Sequence, residues 1–266
     1  MSRYIKALSV VAAMGVAGLV AACGGGGGGG GGGTFNSPPT PTPTSTSALQ
    51  GTMQVITSGT NPSDATYVPA SNGTVVFTCG CTSQAGTGST DASGNFSLLP
   101  NSVATPAAPN PTYTTVPGRN YLIVARSTAG GANTKEAWTM EFLGSVPARN
   151  HYLENPASSD AYTAAAALYV FDNSSSGTLF DNWDFNSIAA WVTHLHNAPT
   201  TSENTLLNHI VTETAAGHSL YPSAPNWNSA QTPNNVIKTD LTAVRVSGAS
   251  LPVNCGHSPC GAQPTP

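Results

Sequence analysis

Residues Ala137–Leu143 have the sequence AWTMEFL. Trp138, Met140 and Phe142 alternate with Thr139 and Glu141, the period of two that a strand imposes on its side chains, so the stretch is expected to bury one face and wet the other. Upstream, Tyr121–Ala125 (YLIVA) is apolar on both faces, which predicts a central strand. Further β-rich runs are expected near Leu49–Thr57, Thr74–Cys79, Asn95–Leu99 and Asn120–Ser127. Turn residues such as Asp91–Gly94 and Pro117–Gly118 separate them. Many short strands with that punctuation predict an antiparallel β-sandwich.

The pattern changes after residue 148. Ser158, Ser159 and Asp160 are candidate N-caps for an alanine-rich helix, Ala161–Phe171. Phe185, Ile188, Ala189, Val192 and Leu195 form one stripe of a helix expected over Asp184–His196. Leu206, Leu207, Ile210, Val211 and Thr214 do the same over Ser202–Ala216, with Gly217 as its stop. Short helices cannot hide their apolar faces alone, so they should pack on one another and on the sheet. Asp240–Ser247 reads as a late strand returning to it. The fold class expected is α+β, with residues 49–147 as the sandwich and 148–266 as a helical portion ending in a strand and a closed tail.

Thr90–Leu98 reads TDASGNFSL, with GTVVFT upstream and YLIVAR downstream. Together these resemble the carboxypeptidase regulatory-like family, a transthyretin-like β-sandwich, over Leu49–Ser127. The resemblance implies a hairpin turn from Thr90 into a strand, in which Asp91 hydrogen-bonds the turn backbone, Gly94 takes a positive φ and Phe96 enters the core. It also implies a binding, spacer or assembly module with no chemistry of its own. The chain departs from that pattern at Cys79–Cys81 and in the Pro- and Ala-rich insertion Leu99–Val116.

The amino-terminal segment carries a second resemblance. Arg3 and Lys6 precede the apolar stretch Ala7–Ala22, the layout of a signal peptide and too short for a spanning helix. Val20, Ala21, Ala22 and Cys23 are similar to the lipobox of bacterial lipoproteins, which implies cleavage after residue 22, acylation of Cys23 and, with Gly24 following, an outer-membrane or cell-surface address. Buried acyl chains contribute about 0.8 kcal/mol per methylene, so several chains hold a protein where one does not. Gly24–Gly33 and the Pro/Thr run after it contain almost nothing to bury, so residues 23–48 are expected to be a disordered tether of roughly 25–30 Å.

Charged residues make up only 8% of the chain, with 8 basic against 12 acidic, so nucleic acid is not indicated as a partner. The expected partners are the membrane, through the lipid, and an envelope protein or glycan. Beyond Cys23 there are four cysteines, Cys79, Cys81, Cys255 and Cys260. On a strand, Cys79 and Cys81 stand about 6.6 Å apart, which disfavours a direct bond. Crossed bridges to Cys255 and Cys260 would clamp the tail to the sheet, and the other reading is a zinc site with His257.

No catalytic constellation is recognised and no cofactor is expected. His194 and His196 on a helix point about 200° apart and cannot share an ion. The same wheel turns His194 to solvent and His196 toward the apolar stripe. His194, His209, Glu213 and His218 would have to converge to hold a metal, which is the hydrolase alternative. The GHS tripeptides at Gly217–Ser219 and Gly256–Ser258 lack the closing glycine of a nucleophile elbow. Trp183, Trp191, Tyr221 and Trp227 would serve a carbohydrate-binding surface if exposed, and the core if not.

Overall fold

The computed structural model describes residues 48–79, 86–98, 117–145, 149–154, 159–174, 180–221, 234–256, 260 and 263–264. Expectations for Cys23, the tether, Cys81, Ser158, Trp227, His257 and Ser258 concern residues outside that set. The strands are β1 (Leu49–Thr52), β2 (Gln54–Ser58), β3 (Thr66–Pro69), β4 (Thr74–Thr78), β5 (Gly86–Ser89), β6 (Asn95–Leu98), β7 (Arg119–Ser127), β8 (Lys135–Leu143) and β9 (His151–Tyr152). The helices are α1 (Ala161–Asn173), α2 (Phe185–Asn197), α3 (Thr201–Ala216) and α4 (Asn235–Ser247), with a 3-10 turn at Phe180–Asn182 before α2. The class is mixed α+β with antiparallel sheets.

The large sheet runs β5-β4-β7-β8-β9, so the YLIVA segment lies in its middle strand. Two antiparallel pairs, β1–β6 and β2–β3, make up the remaining strands described. The wet face expected for AWTMEFL does not exist: all nine residues of β8 are buried. Trp138, Met140 and Phe142 face the helices, where they join Leu122, Val124, Leu168, Ile188, Leu207 and Leu241 in one core. On the opposite face Ala137 and Leu143 join a second core built from Val75, Phe77, Ile123, Met53, Val55, Phe96 and Leu98. Glu141 on that face accepts the Gln50 N–H at 3.0 Å and an amide N–H of Asn150 at 2.8 Å. Period two was therefore read correctly as strand, but the polar members face a second layer rather than water.

Each fully buried large apolar side chain contributes about 1.5–3 kcal/mol, so the tiers on both faces of β7 and β8 are the main source of stability. Helix α1 fits the sheet closely because Ala164–Ala167 are all buried and present only methyl groups. Its N-cap is Asp160, whose carboxylate accepts the Tyr162 and Thr163 N–H groups while Thr163 returns a bond to the cap N–H. Ser159 instead bonds both backbone groups of Gln54, at 2.8 and 3.1 Å, tying the start of α1 to β2.

Asp240–Ser247 belongs to α4 and is not a strand. Ile237, Leu241 and Val244 are buried at spacings of four and three, and Asn234 caps the helix through the Ile237 N–H. Thr242 and Val246, which favour a strand, face away from that stripe, and packing outweighs their propensity. The crossed bridges are also overturned: Cys255 is bonded to Cys260, so neither is the partner of the disulfide-bonded Cys79. A loop this short is stabilised by about 2 kcal/mol on the chain-entropy account, against about 4 kcal/mol for one spanning the fold. The tail is instead held by backbone bonds from Asp184 N to Val253 O (3.0 Å) and Cys255 N to Asn182 O (2.7 Å).

At the turn before β6, Asp91 Oδ1 accepts the N–H groups of Ser93 and Asn95 at 2.8 and 2.9 Å. Bonds from Asn95 and Ser93 hold this carboxyl below its ordinary value. Thr90 is buried, accepts Gly73 N–H at 2.8 Å and donates to Ala70 O, while Phe96 lies in the second core. Gly94 has φ +79°, and a Cβ there would press on Met53 O and Ala70 N. Gly94→Ala is expected to cost about 2 kcal/mol or more, from left-handed strain plus that contact, read as a fall in the urea midpoint. Gly131→Ala, where a Cβ meets nothing within 4 Å, should stay within about 0.5 kcal/mol of the parent.

Candidate functional site

Three elements bring their ends together beside the start of α1. β9 leads directly to Glu154, Asp160 caps α1, and His196 sits in the last turn of α2. Their ligand-capable atoms all lie within 4.8 Å of one another, and this is the one such three-residue group among the described residues. His196 Nε2 is 2.5 Å from Glu154 Oε1 and 3.9 Å from Asp160 Oδ2. Asp160 divides its work, since Oδ1 receives both cap N–H groups at 2.9 Å and Oδ2 is turned to the imidazole. Tyr162 lies against the His196 ring with centroids 3.7 Å apart and planes 31° from parallel, which orients the imidazole.

The electrostatics of this corner are acidic. Burial, and then the charge of Glu154, push Asp160 up to about 6. Burial and the Asp160 charge push Tyr67 up to about 12. Next to the cluster, His196 and Tyr162 line an open groove of about 430 Å³ whose wall also carries Asn61, Asn204 and Asn208. A groove with amides and one aromatic ring can hold a polar ligand, and the cluster can hold a cation or move a proton.

The four residues considered for a metal do not meet. His194 pairs with Glu203 (3.0 Å), His209 with Asp240 (2.6 Å) and His218 with Glu213 (3.1 Å). The wheel expectation for the HxH pair is reversed: the His194 side chain is 17% exposed and that of His196 40%. The tight connection from α2 to α3 lays the N-terminus of α3 beside His194, which a single-helix wheel cannot represent. The two histidines do take separate partners. Trp183, Trp191 and Tyr221 are in the core, with Trp183 donating to Ser174 and Trp191 to Glu203. Ser219 donates to Glu136 at 2.6 Å.

Glu203 was not foreseen, although its place three residues after Thr200 is the signature of a capping box. It is wholly buried and accepts Thr200 N–H (2.7 Å), Trp191 Nε1–H (2.9 Å) and Ala249 N–H (3.0 Å), besides His194. Burial pushes its carboxyl up, but these bonds outweigh burial and the net shift is downward. Asp160 and His196 were each noticed for another reason; Glu154, 42 residues from His196, carried no local signal.

Set against known proteins, the chain matches no family model, no curated relative and no solved structure. Among the described residues no helix is long and apolar enough to cross a membrane.

Glu203→Ala leaves the buried Trp191 indole N–H and the half-buried Thr200 and Ala249 N–H groups without this acceptor and is expected to cost about 3–5 kcal/mol in urea unfolding. The two inward glutamates should have opposite pH signatures. Glu203, with its pKa depressed in the fold, contributes stability above its unfolded value and loses it as pH falls through the folded one. Glu141, raised well above its ordinary value by burial, contributes below the unfolded value and loses that as pH rises through the folded one. Urea midpoints from about pH 3 to about pH 8 should show the deficit of Glu203→Gln shrinking in acid, whereas Glu141→Gln should gain on the parent as pH rises. Parallel curves for either variant contradict the assignment.

Proposed function

We propose that the chain is a lipid-anchored cell-envelope protein with a non-catalytic binding or structural role, at the outer membrane or cell surface. In this reading Cys23 is acylated, and the Gly-, Pro- and Thr-rich segment 23–48 connects the anchor to the folded part. That part is a transthyretin-like, carboxypeptidase regulatory-like sandwich with its helices packed on one face. The turn supports it: Asp91 bonds the turn backbone, Gly94 has a positive φ and Phe96 is buried. The pairing of β4 with β7 next to it in the large sheet agrees with the two flanking motifs being neighbours.

The observation that carries the non-catalytic part is how the ionisable groups of the helical layer are spent. Glu203 holds three backbone or indole N–H groups and His194, Asp240 takes His209, and Glu213 takes His218 and Asn234. Groups that a hydrolase would present to a substrate are here used to join helix to helix. Of the aromatic residues considered for sugar stacking, the three described ones are spent in the core, so Tyr162, at the groove, is the ring placed to meet an envelope protein or glycan.

Labelled palmitate should enter the parent protein and not Cys23→Ala, which should also move to the soluble fraction with its thermal unfolding unchanged. A mature terminus found unmodified by mass spectrometry overturns the anchor. Stoichiometric metal that is lost on Ala substitution of His194, His209 and Glu213 would instead restore the hydrolase alternative.

A further inference from the structure

The carboxylates of Glu154 and Asp160 and the imidazole of His196 face one another, with ligand-capable atoms within 4.8 Å. Each is placed by its own constraint: Glu154 by β9, Asp160 by its cap bonds, His196 by the stacked Tyr162 ring. Ligands about 2.0–2.2 Å from a tetrahedral ion stand roughly 3.3–3.5 Å from one another. The two distances from His196 Nε2, 2.5 Å to Glu154 and 3.9 Å to Asp160, bracket that value. Side-chain shifts of under about 1 Å would therefore open the set around an ion without disturbing the backbone.

We propose that Glu154, Asp160 and His196 form a binding site for one divalent transition-metal ion of the zinc class, held by one oxygen of each carboxylate and by His196 Nε2. Three protein ligands leave a tetrahedral ion one further position. The imidazole selects against Mg²⁺ and Ca²⁺, which take oxygen ligands, and the mixed N/O set suits Zn²⁺ or Mn²⁺. Asp160 contributes Oδ2 while Oδ1 continues to cap α1, so the ion and the helix terminus share one side chain without competing. The groove lined by His196, Tyr162, Asn61, Asn204 and Asn208 gives the ion access from solvent and room for an exogenous oxygen ligand. The site does not depend on the anchor, so its test is separate from that of Cys23 acylation.

The full-length protein, purified in detergent without a histidine tag and stripped with a chelator, should be titrated calorimetrically with Zn²⁺, Mn²⁺, Mg²⁺ and Ca²⁺ in turn. One Zn²⁺ per chain is expected, with a rise in melting temperature. His196→Ala and Glu154→Gln should each weaken binding at least tenfold. Asp160→Asn should do likewise while keeping α1 intact, because asparagine is also a good N-cap. His209→Ala and His218→Ala should bind as the parent does. Far-ultraviolet circular dichroism confirms the fold of each variant, and if one fails to fold the other two decide. Absence of saturable Zn²⁺ binding below millimolar concentration, binding indifferent to all three substitutions, or preference for Mg²⁺ or Ca²⁺ each overturns the proposal.

Discussion

Burial of β8 on both faces removes Lys135, Glu136 and Glu141 from bulk water, and the layers that cover the strand are the ones that satisfy them. Lys135 Nζ donates to Ala215 O at 2.6 Å, placing a cation at the C-terminal end of α3, where the helix dipole favours it. Glu136 receives Arg126, the Trp138 indole, Ser219 Oγ and the Leu220 N–H, joining β7 to the segment after α3. Glu141 does the same on the other face through Gln50 and Asn150. A charged group left unpaired at such depth costs several kcal/mol, so these bonds fix the registry of the layers more than they add to net stability.

The same economy governs the helix termini. Asp160, Thr200 and Asn234 cap α1, α3 and α4 through their side chains. The two acids that serve α1 and α3 are nonetheless displaced in opposite directions. Glu203 meets N–H donors on every side and is stabilised as the anion despite burial; at Asp160 burial, reinforced by a second carboxylate, outweighs two donors, and the anion is disfavoured. The balance between burial and local hydrogen-bond donors sets the sign.

What could be read from sequence follows from how local each cause is. The first three helices, with their stripes, and the strands carrying YLIVA and AWTMEFL are encoded by periodicity within single elements. β5 (GTGS) has no apolar residue at all; its glycines exist because a Cβ at Gly86 would strike the Phe77 ring and one at Gly88 would strike Leu98, which only the assembled fold reveals. α4 was mistaken for a strand because its Val and Thr content outweighed, in the reading, the spacing of Ile237, Leu241 and Val244. The reversed exposure of His194 and His196 has its origin in α3, an element outside the helix whose wheel was drawn. Candidate sites fared similarly: Asp160 and His196 were visible as a cap and as half of an HxH pair, but their meeting with Glu154 depends on where β9 ends relative to α2.

That meeting is also the point where structural economy breaks down. The buried glutamates Glu136, Glu141 and Glu203 each answer a donor that the fold needs to satisfy, and removing one would orphan a backbone or indole N–H. Glu154 and the second oxygen of Asp160 share a single imidazole, and the stacked Tyr162 fixes the ring that both address. Asp160 completes the capping of α1 through Oδ1 and turns Oδ2 to the histidine. Ligand atoms held in place by separate elements and opening on a polar groove are what a cation site requires.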